Sequence, residues 1–297
     1  MTYCVGIKLD AGLVFLSDSR TNAGLDQIST YRKMMVYEKP GDRFMVLLSA
    51  GNLSISQSVR EILQVEQIDN GAGEPITIWN ATSMFDAVRV LGSAVRRVYD
   101  QDGASLKEAG IDFNASMIFG GQIAGEAMRM FLVYSAGNFI EATRETCYFQ
   151  VGESKYGKPV LDRMITPQTP LDEASKCALV SMDSTLKSNL SVGLPLDLLV
   201  YESGALCSDQ LVCIDEQNPY FQMIRGTWGQ KLRQVFESID DPQWTLSNDS
   251  LDDAKWTVVD RSGTTAQPAG DGSSPLCVKS ARYEPMRKIT HPGEKVV

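Results

Sequence analysis

Hydrophobic residues along this chain change their period in blocks, and that block structure most limits the fold. Residues 3–9 (Tyr-Cys-Val-Gly-Ile-Lys-Leu) and 13–18 (Leu-Val-Phe-Leu-Ser-Asp) read as two strands around the Asp10-Ala11-Gly12 turn, an N-terminal hairpin. A loop is expected at Thr21-Asn22-Ala23-Gly24. Segments 32–38 and 43–49 make a second apolar strand pair around Lys39-Pro40-Gly41-Asp42. After Ala50-Gly51-Asn52 the period lengthens. Ile55, Val59, Ile62, Leu63 and Ile68 fit one face of a helix over 53–68, and Met84, Val88, Leu91, Val95 and Val98 fit another over 81–100. Strands return at 112–120, 127–134 and 147–151. A helix follows at 171–189, opened by Leu171-Asp172-Glu173-Ala174, then strands at 196–201 and 210–215, then a helix at 219–238.

Strand runs separated by helices suit antiparallel sheets covered by helices, not a βαβ series. The expected class is α+β: a four-layer αββα sandwich of two antiparallel sheets with helices outside. From residue 241 the composition shifts to Asp, Ser, Gly, Pro and Thr, and 263–275 is expected to be disordered. The domain is therefore placed at 1–240 and a polar tail at 241–297.

The net charge of −9 argues against a dedicated nucleic-acid binder, because phosphate contacts need clustered cations, and against an anionic membrane surface. The start Met1-Thr2-Tyr3-Cys4 has no basic leader, and no stretch reaches the roughly 20 apolar residues of a spanning helix. A cytoplasmic protein is expected. Six cysteines at 4, 147, 177, 207, 213 and 277 form no CxxC pair and are expected as reduced core residues. One histidine exists, His291, in the polar tail. Ser-His-Asp and Cys-His catalysis need a positioned imidazole, so both classes fall away. Neither a metal nor a cofactor is expected: the chain has no GxSxG, Walker A, GxGxxG or HExxH pattern. The acidic 248–253 stretch lacks the glycine and closing glutamate of an EF-hand and reads as a solvated loop.

The N-terminus carries the chemistry. Thr2 follows only the initiator Met1, which is trimmed when a small residue comes next. Trimming leaves an α-amine and a β-hydroxyl on one residue, a nucleophile and base that need no histidine. An α-amine titrates near 7.7–8.0, close to the best value for a base at neutral pH. The hairpin turn brings residue 2 opposite residues 18–20, so Asp18 lies beside the chain start. Lys33 opens the next strand; beside the amine it would disfavour the ammonium form, with Asp18 holding it in place. Each charge alone equally fits a solvated strand end.

Taken together, Thr2, Asp18-Ser19-Arg20, Ala23-Gly24, Lys33 and Ala50-Gly51 resemble a proteasome β-type N-terminal nucleophile hydrolase. The Met-Thr-Tyr-Cys-Val-Gly-Ile-Lys start is similar to the bacterial ancestral β-subunit (Anbu) family, with the HslV peptidase a more distant relative. The resemblance covers about residues 2–238. It implies Thr2 as nucleophile, Lys33 tuning its amine, Asp18 orienting Lys33, and the Gly51 N–H as oxyanion donor. It implies Ser191 as a supporting residue in the 188–193 loop. Two positions depart from the family pattern: Ser188 stands where an Asp is usual, and Gly152-Glu153-Ser154 replaces Gly-Ser-Gly, leaving the usual support serine either shifted to Ser154 or absent.

The resemblance implies a threonine peptidase acting on polypeptide, assembled with copies of itself in a ring or open spiral, with any ATPase unfoldase a separate protein. The alternatives are a small-molecule amide hydrolase of the same fold and a scaffold subunit with a vestigial site. Substrate-pocket side chains are expected from 20–33 and 45–53.

Overall fold

The computed structural model describes residues 2–22, 28–69, 71, 73–208 and 210–240. The readings of Ala23-Gly24, the 248–253 stretch, Cys277, His291 and the tail from 241 lie outside the described residues. In chain order, β1 (Tyr3–Lys8), β2 (Gly12–Asp18), β3 (Arg20–Asn22), β4 (Ile28–Thr30), β5 (Met34–Lys39) and β6 (Arg43–Gly51) precede α1 (Leu53–Leu63) and α2 (Met84–Glu108). Then come β7 (Ala115–Ile123), β8 (Arg129–Val133), β9 (Phe139–Glu141), β10 (Tyr148–Gly152), α3 (Lys158–Met164), α4 (Leu171–Ser188), β11 (Leu196–Glu202), β12 (Leu211–Ile214) and α5 (Pro219–Glu237).

Helices mix with antiparallel sheets. One five-stranded sheet has the order β10-β1-β2-β11-β12, another β5-β6-β7-β8-β9, and β3 pairs with β4 alone. All strand pairs in the two large sheets are antiparallel. Successive side chains on a strand point to opposite faces, so a strand buried on both faces reads as a continuous apolar run. β6 is such a strand: Phe44, Met45, Val46, Leu47 and Leu48 are all fully buried. Phe44, Val46 and Leu48 share a core with Cys4, Leu13 and Phe15 of the first sheet, where the Phe44 and Tyr201 rings stack at 4.6 Å. Met45 and Leu47 pack instead with Ile55 and Val59 of α1 and Val88, Leu91 and Val95 of α2. On the other side, Tyr3, Val5 and Ile7 join Leu161 of α3, Ala178 and Met182 of α4, and Phe221 of α5.

Several boundaries differ from the sequence reading. α1 stops at Leu63 rather than 68, because Ile68 pairs its backbone with Ile76 in an isolated bridge. α2 starts at Met84, where the Ser83 side chain accepts the Asp86 N–H. It runs on to Glu108 although its apolar stripe ends at Val98; Tyr99 meets Phe113 edge-on and Leu106 packs on the core, so tertiary contacts hold the last turns. Thr21 and Asn22 belong to β3 rather than to a loop. β3, β4 and β9 have three residues each, too few to show an alternation. α3 is seven residues long, and a Pro in its first turn is its one local sign. Cys4, Cys147 and Cys177 are buried free thiols, but Cys207 and Cys213 are exposed rather than in the core. Cys213 lies on β12, which among the described residues pairs only with β11.

Asp197 on β11 sits opposite Ser17 and Cys213, on the face that carries Leu199 into the inter-sheet core. Its carboxyl is buried, and Oδ2 has no hydrogen-bond partner among the described residues. Burial raises its pKa against the pull of Arg32. A carboxyl raised on folding makes the folded state bind the proton more tightly, so its contribution to stability falls as pH rises through the folded value. Asp197→Asn is expected to raise Tm at pH 7, with the gain shrinking on acidification. Differential scanning fluorimetry across pH checks this; an unchanged Tm at pH 7 would mean the carboxylate is compensated.

Candidate active site

Thr2 immediately precedes β1. Its carbonyl accepts the Glu153 N–H at 2.7 Å, and the next N–H, that of Tyr3, donates to Asp18 Oδ1 at 3.0 Å. The hairpin sets this up. With Cys4 opposite Ser17, the pairing carries Tyr3 to the level of Asp18 at the end of β2. Tyr3 is also fixed through its ring: the phenol hydrogen-bonds Ser181 Oγ on α4 at 2.5 Å and accepts from Gln150 Nε2 on β10 at 2.6 Å.

Asp18 is fully buried and gathers three donors around its two oxygens. Oδ1 accepts from Lys33 Nζ at 2.7 Å as well as from Tyr3, and Oδ2 accepts the Gly193 N–H at 3.4 Å. Lys33 is also buried and donates to the Arg20 carbonyl at 2.7 Å, which leaves one of its three N–H bonds free of these two acceptors. It lies just before β5 rather than within the strand. Burial raises the Asp18 carboxyl above its ordinary value, with the Lys33 charge the strongest opposing influence and the Tyr3 and Gly193 N–H groups behind it.

Gly51 ends β6 with φ +111°, and a Cβ there would stand 2.3 Å from the Asn114 carbonyl, so a side chain is excluded twice over. Asn52 then caps α1, its Oδ1 accepting the Ser54 N–H at 3.0 Å. Gly51 therefore stands just ahead of a helix N-terminus, where the backbone dipoles leave partial positive charge. Thr2 and Gly51 line one cavity of about 880 Å³ together with Arg20, Tyr31, Ala50 and Gly152. Residues 20–21, 29–31 and 50–53 form much of its wall, and Asn114, just before β7, and Ser116 on it stand at its edge, two residues that no local pattern marked. Tyr31 is held by Arg60, which donates to its hydroxyl at 2.6 Å and lies 5.1 Å over its ring.

Ser191 lies in the loop between α4 and β11. Its backbone N–H donates to Asn189 Oδ1 at 2.9 Å, while its hydroxyl makes no hydrogen bond among the described residues. Asp18 and Lys33 are thus in direct contact, Thr2 and Gly51 share a cavity, and the Tyr3 N–H links the charged pair to the residue after Thr2, while Ser191 hydrogen-bonds only Asn189 among the described residues. Ser188 is exposed in the last turn of α4, and Asn189 makes the polar contacts there instead: Nδ2 donates to Glu153 Oε2 at 2.8 Å. Glu153 is buried, and its sequence context carries no sign of it. The Ser154 hydroxyl makes no hydrogen bond among the described residues; its carbonyl accepts from Gln150 at 3.3 Å. Among the described residues, no group of three or more His, Cys, Asp or Glu comes together as a metal-ligand set.

No family model and no curated protein matches the chain. Among solved structures, the ancestral β-subunit Anbu of Yersinia bercovieri is 47% identical with a TM-score of 0.74, matching 82% of this chain and 100% of its own. The chain belongs to the Anbu family. The Anbu complex of Pseudomonas aeruginosa, described as a helical assembly, is 44% identical with a TM-score of 0.74 over 81% of this chain and 98% of its own. An Anbu structure from Hyphomicrobium sp. strain MC1 is 43% identical with a TM-score of 0.72 over 80% and 98%. The Anbu family is proteasome-β-like, which places the Asp18–Lys33 pair beside the start of the chain in a family related to N-terminal nucleophile hydrolases.

Removing Lys33 from this Anbu chain leaves the Asp18 carboxylate buried without its cation, a change that typically costs about 3–5 kcal/mol. Lys33→Met is expected to lower Tm most at neutral pH. Without the cation the Asp18 carboxyl rises further and takes up a proton more readily, so the deficit against wild type narrows as pH falls. Thermal melts across pH test this; a deficit that is the same at every pH would show that the lost charge pair is not its cause.

Proposed function

We propose that this Anbu-family protein is a threonine-type N-terminal nucleophile peptidase that cleaves polypeptide amides after Met1 is removed. The observation that carries the reading is the buried Asp18–Lys33 pair at 2.7 Å, tied through Asp18 to the Tyr3 N–H one residue from Thr2, on a cavity that Thr2 shares with Gly51.

The chemistry follows from those parts. Thr2 Oγ attacks the carbonyl carbon of the scissile amide, and the freed Thr2 α-amine takes the hydroxyl proton. The carbonyl oxygen becomes an oxyanion facing the Gly51 N–H, one such donor being worth on the order of 10²–10³ in rate. The C–N bond breaks, the departing amine carries away the proton held by the α-amine, and an ester to Thr2 remains. A water, deprotonated by the same amine, attacks the ester; the acid product leaves and Thr2 Oγ recovers its proton. Lys33 keeps the α-amine unprotonated by placing a like charge nearby, and Asp18 holds Lys33. Ser191 supports the loop beside Asp18.

The three apolar cores support a four-layer αββα sandwich around this site. The matched share of the chain supports a catalytic domain at 1–240 with a polar tail at 241–297 appended. The helical assembly of the Pseudomonas relative supports self-association in a ring or spiral, with any ATPase unfoldase a separate protein. Among the described residues no helix is long and apolar enough to cross a membrane, in keeping with work in the cytoplasm.

Intact mass and active-site labelling test the reading. The purified protein is expected to begin at Thr2 and to be labelled there by a β-lactone or epoxyketone. Thr2→Ala is expected to lose all labelling while keeping its assembly state, and Lys33→Met to label slower by on the order of 10² or more. Labelled protein that still carries Met1, or labelling that survives in Thr2→Ala, would overturn the assignment.

A further inference from the structure

Glu153 is a buried carboxylate that the proposed chemistry leaves unused. It stands at the corner where β10 ends and the chain heads for α3. Its backbone N–H holds the Thr2 carbonyl at 2.7 Å, and its side chain accepts from Asn189 Nδ2 at 2.8 Å. Asn189 spends its other end on Ser191, with Oδ1 taking the Ser191 N–H at 2.9 Å. Three short contacts therefore run unbroken from the carbonyl of Thr2 to the amide of Ser191. The same loop touches the site once more, where the Gly193 N–H reaches Asp18 Oδ2.

Each link has a physical reason to be firm. Glu153 is only 7% exposed, so its hydrogen bond to Asn189 is sheltered from competing water. Its other oxygen meets Lys155 Nζ at 3.3 Å, but that lysine is exposed and a rim pair of this kind is weak. The corner cannot slide away from Thr2. Gly152 has φ +83°, and a Cβ there would lie 2.0 Å from the Thr2 carbonyl oxygen, so backbone is packed on backbone. Ser188, exposed at the end of α4, takes no part.

We infer that Glu153 and Asn189 are positioning residues: the bridge between them sets the backbone of Thr2 against the 189–193 loop. For catalysis this rests on the nucleophilic role proposed for Thr2; the mechanical link does not. Reacting groups must be held within a fraction of an ångström, and a misplacement of about 1 Å can cost on the order of 10²-fold in rate.

The test uses the full-length protein and the variants Glu153→Ala, Glu153→Gln, Asn189→Ala and the Glu153→Ala/Asn189→Ala double. Two quantities are read on the same samples: the kinetics of β-lactone labelling at Thr2, and amide hydrogen exchange in peptides spanning Glu153 and Ser191. Each alanine variant is expected to lower the maximal labelling rate by on the order of 10², with the inhibitor's apparent affinity little changed. The double variant is expected to be no slower than the slower single, because both substitutions cut one chain of contacts. Glu153→Gln keeps a carbonyl oxygen for Asn189 and is expected to stay within a few-fold of wild type. Exchange at Ser191 is expected to speed up at least tenfold in Glu153→Ala, although residue 153 does not touch that amide. Unchanged Ser191 exchange in Glu153→Ala overturns the inference whatever the labelling does. So does a Glu153→Gln variant as slow as Glu153→Ala, which would assign the effect to charge rather than to the bridge. If wild type is never labelled but the exchange coupling is present, the peptidase reading fails and the bridge stands.

Discussion

An ammonium and a carboxylate buried 2.7 Å apart organise this molecule. Taking two charges out of water is costly, and the cost is met only when geometry is good and every remaining donor or acceptor is served. Asp18 and Lys33 go most of the way to that condition by drawing on four separate stretches of chain. The start of β1 contributes the Tyr3 N–H, the loop before β11 the Gly193 N–H, β3 the Arg20 carbonyl, and the lead-in to β5 the lysine itself. Because the pair tolerates no slack, those four stretches are tied to one another wherever else they lead. The first of them ends on Thr2.

The rest of the architecture reads as support for that knot. Buried faces on both sides of β1 leave the N-terminal strand little freedom: Cys4 goes to the inter-sheet core, and Tyr3, Val5 and Ile7 to the helices α3, α4 and α5. The Tyr3 phenol, bonded to α4 and β10, locks the residue after Thr2 against rotation. On the far wall, the strand β6 delivers Gly51 to the edge of the same cavity and hands the chain to α1 through an Asn52 cap. A strand ending in a positive-φ glycine and followed at once by a capped helix presents backbone rather than side chain to the cavity, which is what a site for developing negative charge requires.

The positions that depart from the proteasome β pattern do not leave gaps. Where the family resemblance led to Ser188 and to a serine near 154, the structure uses the neighbouring residues, Asn189 and Glu153, and joins them to each other. An amide–carboxylate pair stands where the family pattern has an Asp and a serine. That pair spans the distance from β10 to the loop after α4, with the Glu153 side chain buried.

Much of this was legible beforehand. The short apolar runs of β1 and β2, the turn between them and the longer period over α1, α2, α4 and α5 follow from local side-chain pattern, because these signals are properties of the chain itself. The position of Thr2 after a removable methionine, and the acid and lysine at hairpin-compatible spacing, were likewise plain in one dimension. Other features had no such signature. Three-residue strands are too short to show a period, and the last turns of α2 are held by Tyr99 and Leu106 packing rather than by a stripe. The Glu153–Asn189 contact joins residues 36 apart, and whether a glutamate is solvated or buried is set by what folds over it. The chain alone thus determined its periodic elements and the chemical groups at its start, since these depend on neighbours in sequence. Tertiary structure decided which of those groups meet, because burial and pairing of charge depend on distant segments arriving at the same point.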